Sequence, residues 1–309
     1  MRKKIVMERK TEKEIISIGK DILVSLIIIG IILGSLYAFS GRWPPMVVIE
    51  SSSMAHDSHD SEIGVIDAGD IVVVQEVDRD EITTYVEGRA AGYSKYGLYG
   101  DVIVFRPDGN RDRTPVIHRP VCYMEYHEDS GLVDIPSLVD LDYGEDWDIR
   151  NGDPNPEEVR DGKGLYGTLR IYDYQQENET VAIDLDDVDS SGFITKGDNN
   201  DQVDQDGRHR GMEDPIKEGW VLGKARGELP WFGILKLVYL GRTEYIPANS
   251  WTNLIISITA ILLIPLVIEL ITRLYWPEKM EEEEGEKEED LENDREGDGD
   301  HLEIENEIG

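Results

Sequence analysis

Ser53, His118, Asp198 and Asp204 are side chains that, brought together, could attack a carbonyl carbon. An unassisted serine hydroxyl is a poor nucleophile, so a base must take its proton as it attacks. Histidine suits that task because its unperturbed pKa lies near neutrality. An imidazole that becomes charged in the transition state gains from a carboxylate aligned on its other nitrogen. Asp198 and Asp204 are both candidates for that place. Ser53 lies in Ser51-Ser52-Ser53-Met54, where backbone N–H groups of the turn and the Ser51 hydroxyl could stabilise an oxyanion. Taken singly these residues have plainer readings: serine runs make loops, histidines sit on strands and aspartates fill polar turns.

The order of the motifs is more specific than any one of them. After Ser53-Met54 come Gly69-Asp70 opening the apolar run Ile71 to Val74, and Gly100-Asp101 opening Val102 to Phe105. His118-Arg119 follows Val116-Ile117, and Thr195-Lys196-Gly197-Asp198-Asn199-Asn200 follows Phe193-Ile194, with Asp204 beyond. This set resembles type I signal peptidases of the archaeal and endoplasmic-reticulum branch, over the first apolar segment and residues 47–77, 100–121, 193–206 and 219–240. His118 marks the branch, since bacterial relatives carry lysine there.

The resemblance implies Ser53 as nucleophile, His118 as general base, and Asp198 and Asp204 in support. It implies a mainly β, signal-peptidase-like antiparallel domain with two flanking transmembrane helices. The implied activity removes leaders from secretory preproteins at small residues, taking the substrate as an added extended strand in a shallow groove. Its partners are secretory preproteins and the lipid bilayer, with the protein translocation machinery a candidate neighbour, and it needs no cofactor or metal. This chain departs from the family in having Ser52 where a glycine is usual and Ala55-His56 where a proline soon follows the methionine. A longer connection from Asp57 to Ala68 and a wide interval between His118 and Asp198 also set it apart. These departures bear on the oxyanion turn and on the depth of the groove.

Other constellations compete for attention. His56-Asp57-Ser58-His59-Asp60 has ligand-type residues and could hold a metal or supply another base beside Ser53, but it lacks a helical HExxH register or a cysteine set, and reads as a solvated loop. The run from Asp187 to Asp198 fits much of a calcium-loop template with Gly192 sixth, yet its flanks read as strands and Asp stands where a bidentate Glu is needed. Lys95 or Lys196 could form a serine–lysine dyad. Lys95 lies in a Gly-rich acidic insertion and Lys196 in the Thr-Lys-Gly-Asp-Asn turn, so both rank below His118.

The elements that must position these residues follow from hydropathy and charge. Basic side chains fill residues 1–20, the expected cytoplasmic end, and an uncharged run from Ile22 to Gly41 then supplies about the 20 residues a spanning helix needs. That run exceeds the h-region of a cleaved leader, so residues 21–41 are expected to stay as an anchor with the basic flank inside. A second uncharged run, Ser250 to Ile268, has Trp251 and Tyr275-Trp276 as interfacial aromatics, giving an expected span over 249–272. Glu269 and Arg273 could pair on one face of it. Residues 273–309 are acidic, lack an apolar period and read as a solvated, disordered cytoplasmic tail.

Between the spans, residues 42–248 form the expected extracytoplasmic domain. Ile71 to Val77, Val102 to Phe105, Val116 to Met124, Thr168 to Tyr172, Thr180 to Ile183 and Gly219 to Ala225 read as short strands. Their size and spacing favour a sandwich or partly open barrel over a doubly wound sheet. Segments Glu81 to Tyr99 and Glu125 to Gly167 read as loop insertions, or as a small subdomain. A noncatalytic two-span surface or assembly protein, or a membrane-proximal protease of narrower range, are the other readings of the whole.

Charge sets the remaining bounds. With 65 acidic against 31 basic residues and a formal charge of −34, the chain has no general affinity for nucleic acid. The 39% of hydrophobic residues, grouped in runs, argue against a wholly disordered acidic chain. One cysteine, Cys122, allows no internal disulfide, so the domain's stability must come from its core. The acidity reads as adaptation to high salt, in keeping with a halophilic archaeal source, because screening within a few ångströms removes self-repulsion. The melting temperature is therefore expected to fall as salt is withdrawn, and a fold equally stable at low ionic strength would contradict that reading.

Overall fold

In the computed structural model, which describes residues 2–57, 59–152, 159–206, 212 and 214–275 and only the backbone of 2–15, 17 and 273, the chain divides into two units, Met1–Trp251 and Thr252–Gly309. The first begins with helix α1 (Arg2–Ser40), which continues the apolar stretch back through the basic residues. Its part Ile18–Ser40 has a mean hydropathy of 2.6 and is long and apolar enough to cross a membrane. The second unit, as far as it is described, continues one helix that starts at Ala248, within the first unit, and ends at Tyr275. Its part Ala248–Thr272, with a mean hydropathy of 2.8, passes the same test. The side-chain pairing of Glu269 with Arg273 and the acidic tail from residue 276 lie outside the described residues.

The body of the first unit is mainly antiparallel sheet. Its strands are β1 (Met46–Val48), β2 (Ile71–Gln75), β3 (Ser94–Lys95), β4 (Leu98–Tyr99), β5 (Ile103–Phe105), β6 (Val116–His127), β7 (Leu132–Asp134), β8 (Trp147–Arg150), β9 (Thr168–Tyr172), β10 (Thr180–Asp184), β11 (Gly192–Lys196) and β12 (Val221–Leu229). The larger sheet runs β1-β2-β12-β5-β6-β11 with β7 also on β6; the smaller runs β10-β9-β8, and β3 and β4 form a hairpin. Each of the runs read as strands from the sequence contributes one. In β9 and β10 alternate residues are buried, as expected of a sheet with one face on a core.

The described parts of the long insertions are structured. Residues 125–167 supply β7 and β8, and Trp147, Ile149 and Leu165 join Val121, Cys122, Leu169 and Ile171 in one apolar core. Residues 81–99 hold the β3–β4 hairpin and helix α2 (Tyr85–Ala91), a helix not anticipated from the apolar period. α2 starts at a capping box in which the Thr84 hydroxyl accepts the Glu87 N–H and the Glu87 carboxylate accepts the Thr84 N–H. A second core, around Ile49, Met54, Ile66, Val72 and Val102, underlies the serine turn.

Both Gly-Asp motifs tie strand starts to neighbouring chain. Asp101 takes the Thr83 N–H, the Tyr93 hydroxyl and the Lys224 ammonium, the last at 3.0 Å. Asp70, 1% exposed, accepts the N–H groups of Asp67 and Trp231, each at 2.8 Å. Burial, with neighbouring Asp67 and Glu228, pushes the Asp70 carboxyl up to about 7 against the two N–H donors that favour its charge. Unfolding releases this carboxyl to its ordinary 3.8, so between 3.8 and about 7 the folded chain holds the extra proton. The stability it contributes is then complete below that window and lost as the pH rises through it. Melting curves across the window should show stability falling with pH, more shallowly in Asp70→Asn; an unchanged slope would contradict the assignment.

Candidate functional site

Ser53 follows the edge strand β1 in a tight turn closed by the Ala55 N–H on the Ser52 carbonyl at 3.1 Å. Met54, 1% exposed, plugs the second core and so fixes the residue before it. The turn is held from the other side by Asn199, whose backbone N–H reaches the Ser53 carbonyl at 2.9 Å and whose side-chain amide reaches the Ser52 carbonyl at 3.0 Å.

His118 enters from β6 and is fully buried. Its Nε2 lies 3.0 Å from Ser53 Oγ and its Nδ1 lies 2.5 Å from Asp204 Oδ2. With Nδ1–H donated to the Asp204 carboxylate, Nε2 carries the lone pair that accepts the Ser53 hydroxyl. Asp204 is oriented in turn: its Oδ2 accepts the Thr195 hydroxyl at 2.7 Å and its backbone N–H bonds the Thr195 carbonyl at 2.8 Å. An arrangement of this type can move a proton from the serine to the imidazole during attack on a carbonyl. Ser51 Oγ stands 3.3 Å from Ser53 Oγ.

Asp198 goes elsewhere. Arg119 follows His118 on β6 and, by the alternation of a strand, faces the other way. Its Nε and one terminal nitrogen meet the two Asp198 oxygens at 2.9 and 2.7 Å, and both side chains are almost wholly buried. The other terminal nitrogen donates to the carbonyls of Lys95, Tyr99 and Gly100 at 3.0–3.1 Å. Burial works to raise the Asp198 carboxyl, but Arg119 and His56 outweigh it and hold it below its ordinary value. Of the two aspartates left open by the sequence, Asp204 touches His118, and Asp198 builds the scaffold beside it.

His56, named in the sequence only as part of a solvated loop, joins the buried pair beside the site. Its Nε2 lies 3.1 Å from Asp198 Oδ2, the partner of Arg119. Asp57 instead folds the rest of that segment, accepting the N–H groups of His59 and Asp60. Among the described residues no group of three or more His, Cys, Asp or Glu could hold a metal ion. In the calcium-like run the sixth to tenth positions form β11 and the twelfth, Asp198, is bound to Arg119. Lys196 is buried with its Nζ 3.6 Å from a Glu179 oxygen and over the Tyr174 ring, and burial lowers its pKa. Lys95 lies over the Tyr96 ring. Neither lysine is paired with Ser53.

Two sequence features make this packing possible. Pro120 cannot donate to a ladder, and it sits where β6 passes from β5, paired up to His118, to β11, paired from Arg119 onward. Opposite it the register slips between Ile194 and Thr195, a bulge that re-aims Thr195 toward Asp204. Gly197 is packed so closely that a Cβ there would lie 2.6 Å from the Ser53 carbonyl oxygen and 2.9 Å from His118 Nε2. Only glycine fits without displacing the pair.

Beside Ser53 lies a groove of about 460 Å3, lined on one side by β1 and the serine turn and on the other by Val104 and by Thr114 to Ile117. Among the described residues β1 pairs with β2 alone, and its outer edge has no strand partner there. The chain matches no protein-family model and no curated protein. Removing the partner of a buried charge is far costlier than replacing the pair. Arg119→Met is therefore expected to destabilise the fold by about 3–5 kcal/mol, and adding Asp198→Leu to recover much of the loss, as read by thermal unfolding in detergent. Equal stability of Arg119→Met and wild type would rule out the buried pair.

Proposed function

We propose that this chain is a membrane-anchored serine endopeptidase of the signal peptidase type, cleaving one peptide bond in secretory preproteins near the outer membrane surface. The carrying observation is the hydrogen-bonded series from Ser53 Oγ through His118 to Asp204, at 3.0 and 2.5 Å, beside an open groove. In this reading a segment of preprotein extends along the edge of β1, where backbone pairing gives affinity and the apolar part of the groove, Val47 to Ile49 with Val104 and Val116, takes small side chains. Ser53 attacks the carbonyl carbon as His118 takes its proton, and the imidazolium then gives that proton to the leaving amine. Asp204 holds the imidazole in the tautomer that can accept, and backbone N–H groups of the turn with the Ser51 hydroxyl meet the oxyanion.

The motif order supports the same reading, and the two apolar helices suit a substrate that arrives in a membrane. By the positive-inside rule the basic start of α1 stays in the cytoplasm, which puts both termini there and the sheet body outside. The test is a preprotein incubated with detergent-solubilised full-length enzyme in high salt, with product masses compared for wild type, Ser53→Ala, Asp204→Asn and Asp198→Asn. Cleavage after a small residue at the end of the leader, absent in Ser53→Ala, is expected. Asp204→Asn should lower kcat by about 10³–10⁴ with little change in KM, as loss of the orienting carboxylate does elsewhere. Asp198→Asn should act mainly through stability. Intact preprotein with folded wild-type enzyme would favour a noncatalytic membrane protein, and cleavage confined to other membrane-proximal segments a narrower protease.

A further inference from the structure

Thr195 stands opposite Pro120, where the register between β6 and β11 slips. Pro120 has no N–H to give the Thr195 carbonyl, which accepts the Asp204 N–H instead, at 2.8 Å. The Thr195 N–H turns to the same loop and donates to the side-chain oxygen of Gln205 at 3.0 Å. Because a backbone N–H can only donate, the atom it meets must be the amide oxygen, and the other end of the amide is then the NH2 group. That group donates to Thr195 Oγ1 at 3.4 Å. One glutamine thus brackets one threonine at two points.

The bracket sets where the Thr195 hydroxyl hydrogen goes. A hydroxyl carries one hydrogen, and an ionised carboxylate can only accept. With the Gln205 N–H on its lone pair, Oγ1 gives its hydrogen to Asp204 Oδ2, 2.7 Å away. The same carboxylate oxygen takes His118 Nδ1, which leaves Nε2 toward Ser53 Oγ. Thr195 and Asp204 are almost wholly buried, so these bonds are made away from solvent. Gln205 is only half-buried and lines a cavity of about 520 Å3 with Thr168 and Ala182 to Asp184, of β9 and β10. Its amide had room to face that cavity, yet both polar atoms turn to Thr195. Resting on the serine peptidase reading above, we propose that Gln205 is a positioning residue: through Thr195 it fixes the Asp204 carboxylate that aligns His118 on Ser53. Gln205 immediately follows Asp204, so one loop supplies the carboxylate and the group that holds its second donor.

The test uses the full-length protein in detergent at high salt. Gln205→Glu keeps an oxygen for the Thr195 N–H but has no N–H for Oγ1, and its carboxylate draws the hydroxyl hydrogen away from Asp204. Gln202→Glu, at an exposed residue of the same loop, adds the same charge without the contact. The substrate-free readout is the downfield proton signal of His118 Nδ1–H, identified by its loss in His118→Gln. A carboxylate that loses the Thr195 donor accepts the imidazole N–H more strongly. The signal should therefore move further downfield in Gln205→Glu and in Thr195→Val, and stay in place in Gln202→Glu. Adding Gln205→Glu to Thr195→Val should move it no further. In cleavage of preprotein, Gln205→Glu should lower kcat severalfold with KM unchanged. Gln205→Met, which keeps neither contact, should do the same and serves if the charged variant does not fold. A signal and a kcat in Gln205→Glu equal to those of wild type overturn the proposal, as does an equal change in Gln202→Glu or additivity with Thr195→Val. The expected shifts with no cleavage by any form, wild type included, would keep the Gln205 assignment and reject the peptidase reading alone.

Discussion

The buried pair of Arg119 and Asp198 is the constraint on which the rest of the site depends. Two opposite charges taken out of water must satisfy one another fully, and the remaining donors must find acceptors, or the fold fails. Arg119 does this with four backbone carbonyls of the 95–100 segment, and Asp198 with His56. Four separate stretches of chain are drawn to one point by this arrangement: β6, the loop after β11, the β3–β4 hairpin and the residues just after the serine turn. Its contribution is to geometry more than to net stability, since an apolar pair of the same shape would hold the cores as well.

The neighbouring residue on β6 uses that geometry. Adjacent strand residues face opposite ways, so one strand presents Arg119 to the scaffold and His118 to Ser53 and Asp204. Errors in position at either residue would be passed to the other through a backbone only one bond step long. The bulge opposite Pro120 then lets β11 follow β6 while turning Thr195 toward Asp204. The local disorder that a mid-strand proline introduces is thus taken up at the place where the chain needs a change of direction.

The antiparallel β class and both apolar helices were legible because alternation, β-branched content and uncharged length are local properties. What pairs with what was not. β1, β8 and β11 are three to five residues long, and nothing in Met46–Val48 distinguishes an edge strand from a loop until β2 lies beside it. α2 is too short for a visible apolar period, although Thr84-Tyr85-Val86-Glu87 carries its capping signal. At the candidate site the residue types were readable, while the choice between Asp198 and Asp204 was tertiary. The two lie six positions apart in a polar turn, and only Arg119 and the register of β11 send one to the scaffold and the other to His118. His56 was hidden for the same reason, its partner being 142 positions away.

The sheet order has a consequence for the sequence of events in folding. In the ladder, among the described residues, β1 and β2 join β5 and β6 through β12, the last of the described strands. A nascent polypeptide can form the β1–β2 and β5–β6 hairpins from local contacts, but the insertion that brings them side by side must wait until Val221–Leu229 has been made. The serine and the histidine therefore meet late, after the helix of the first apolar segment and the strand Val221–Leu229 have both been made. A chain that lacks that strand has no assembled Ser53–His118 pair, and the two residues come together as it zips into the middle of the sheet.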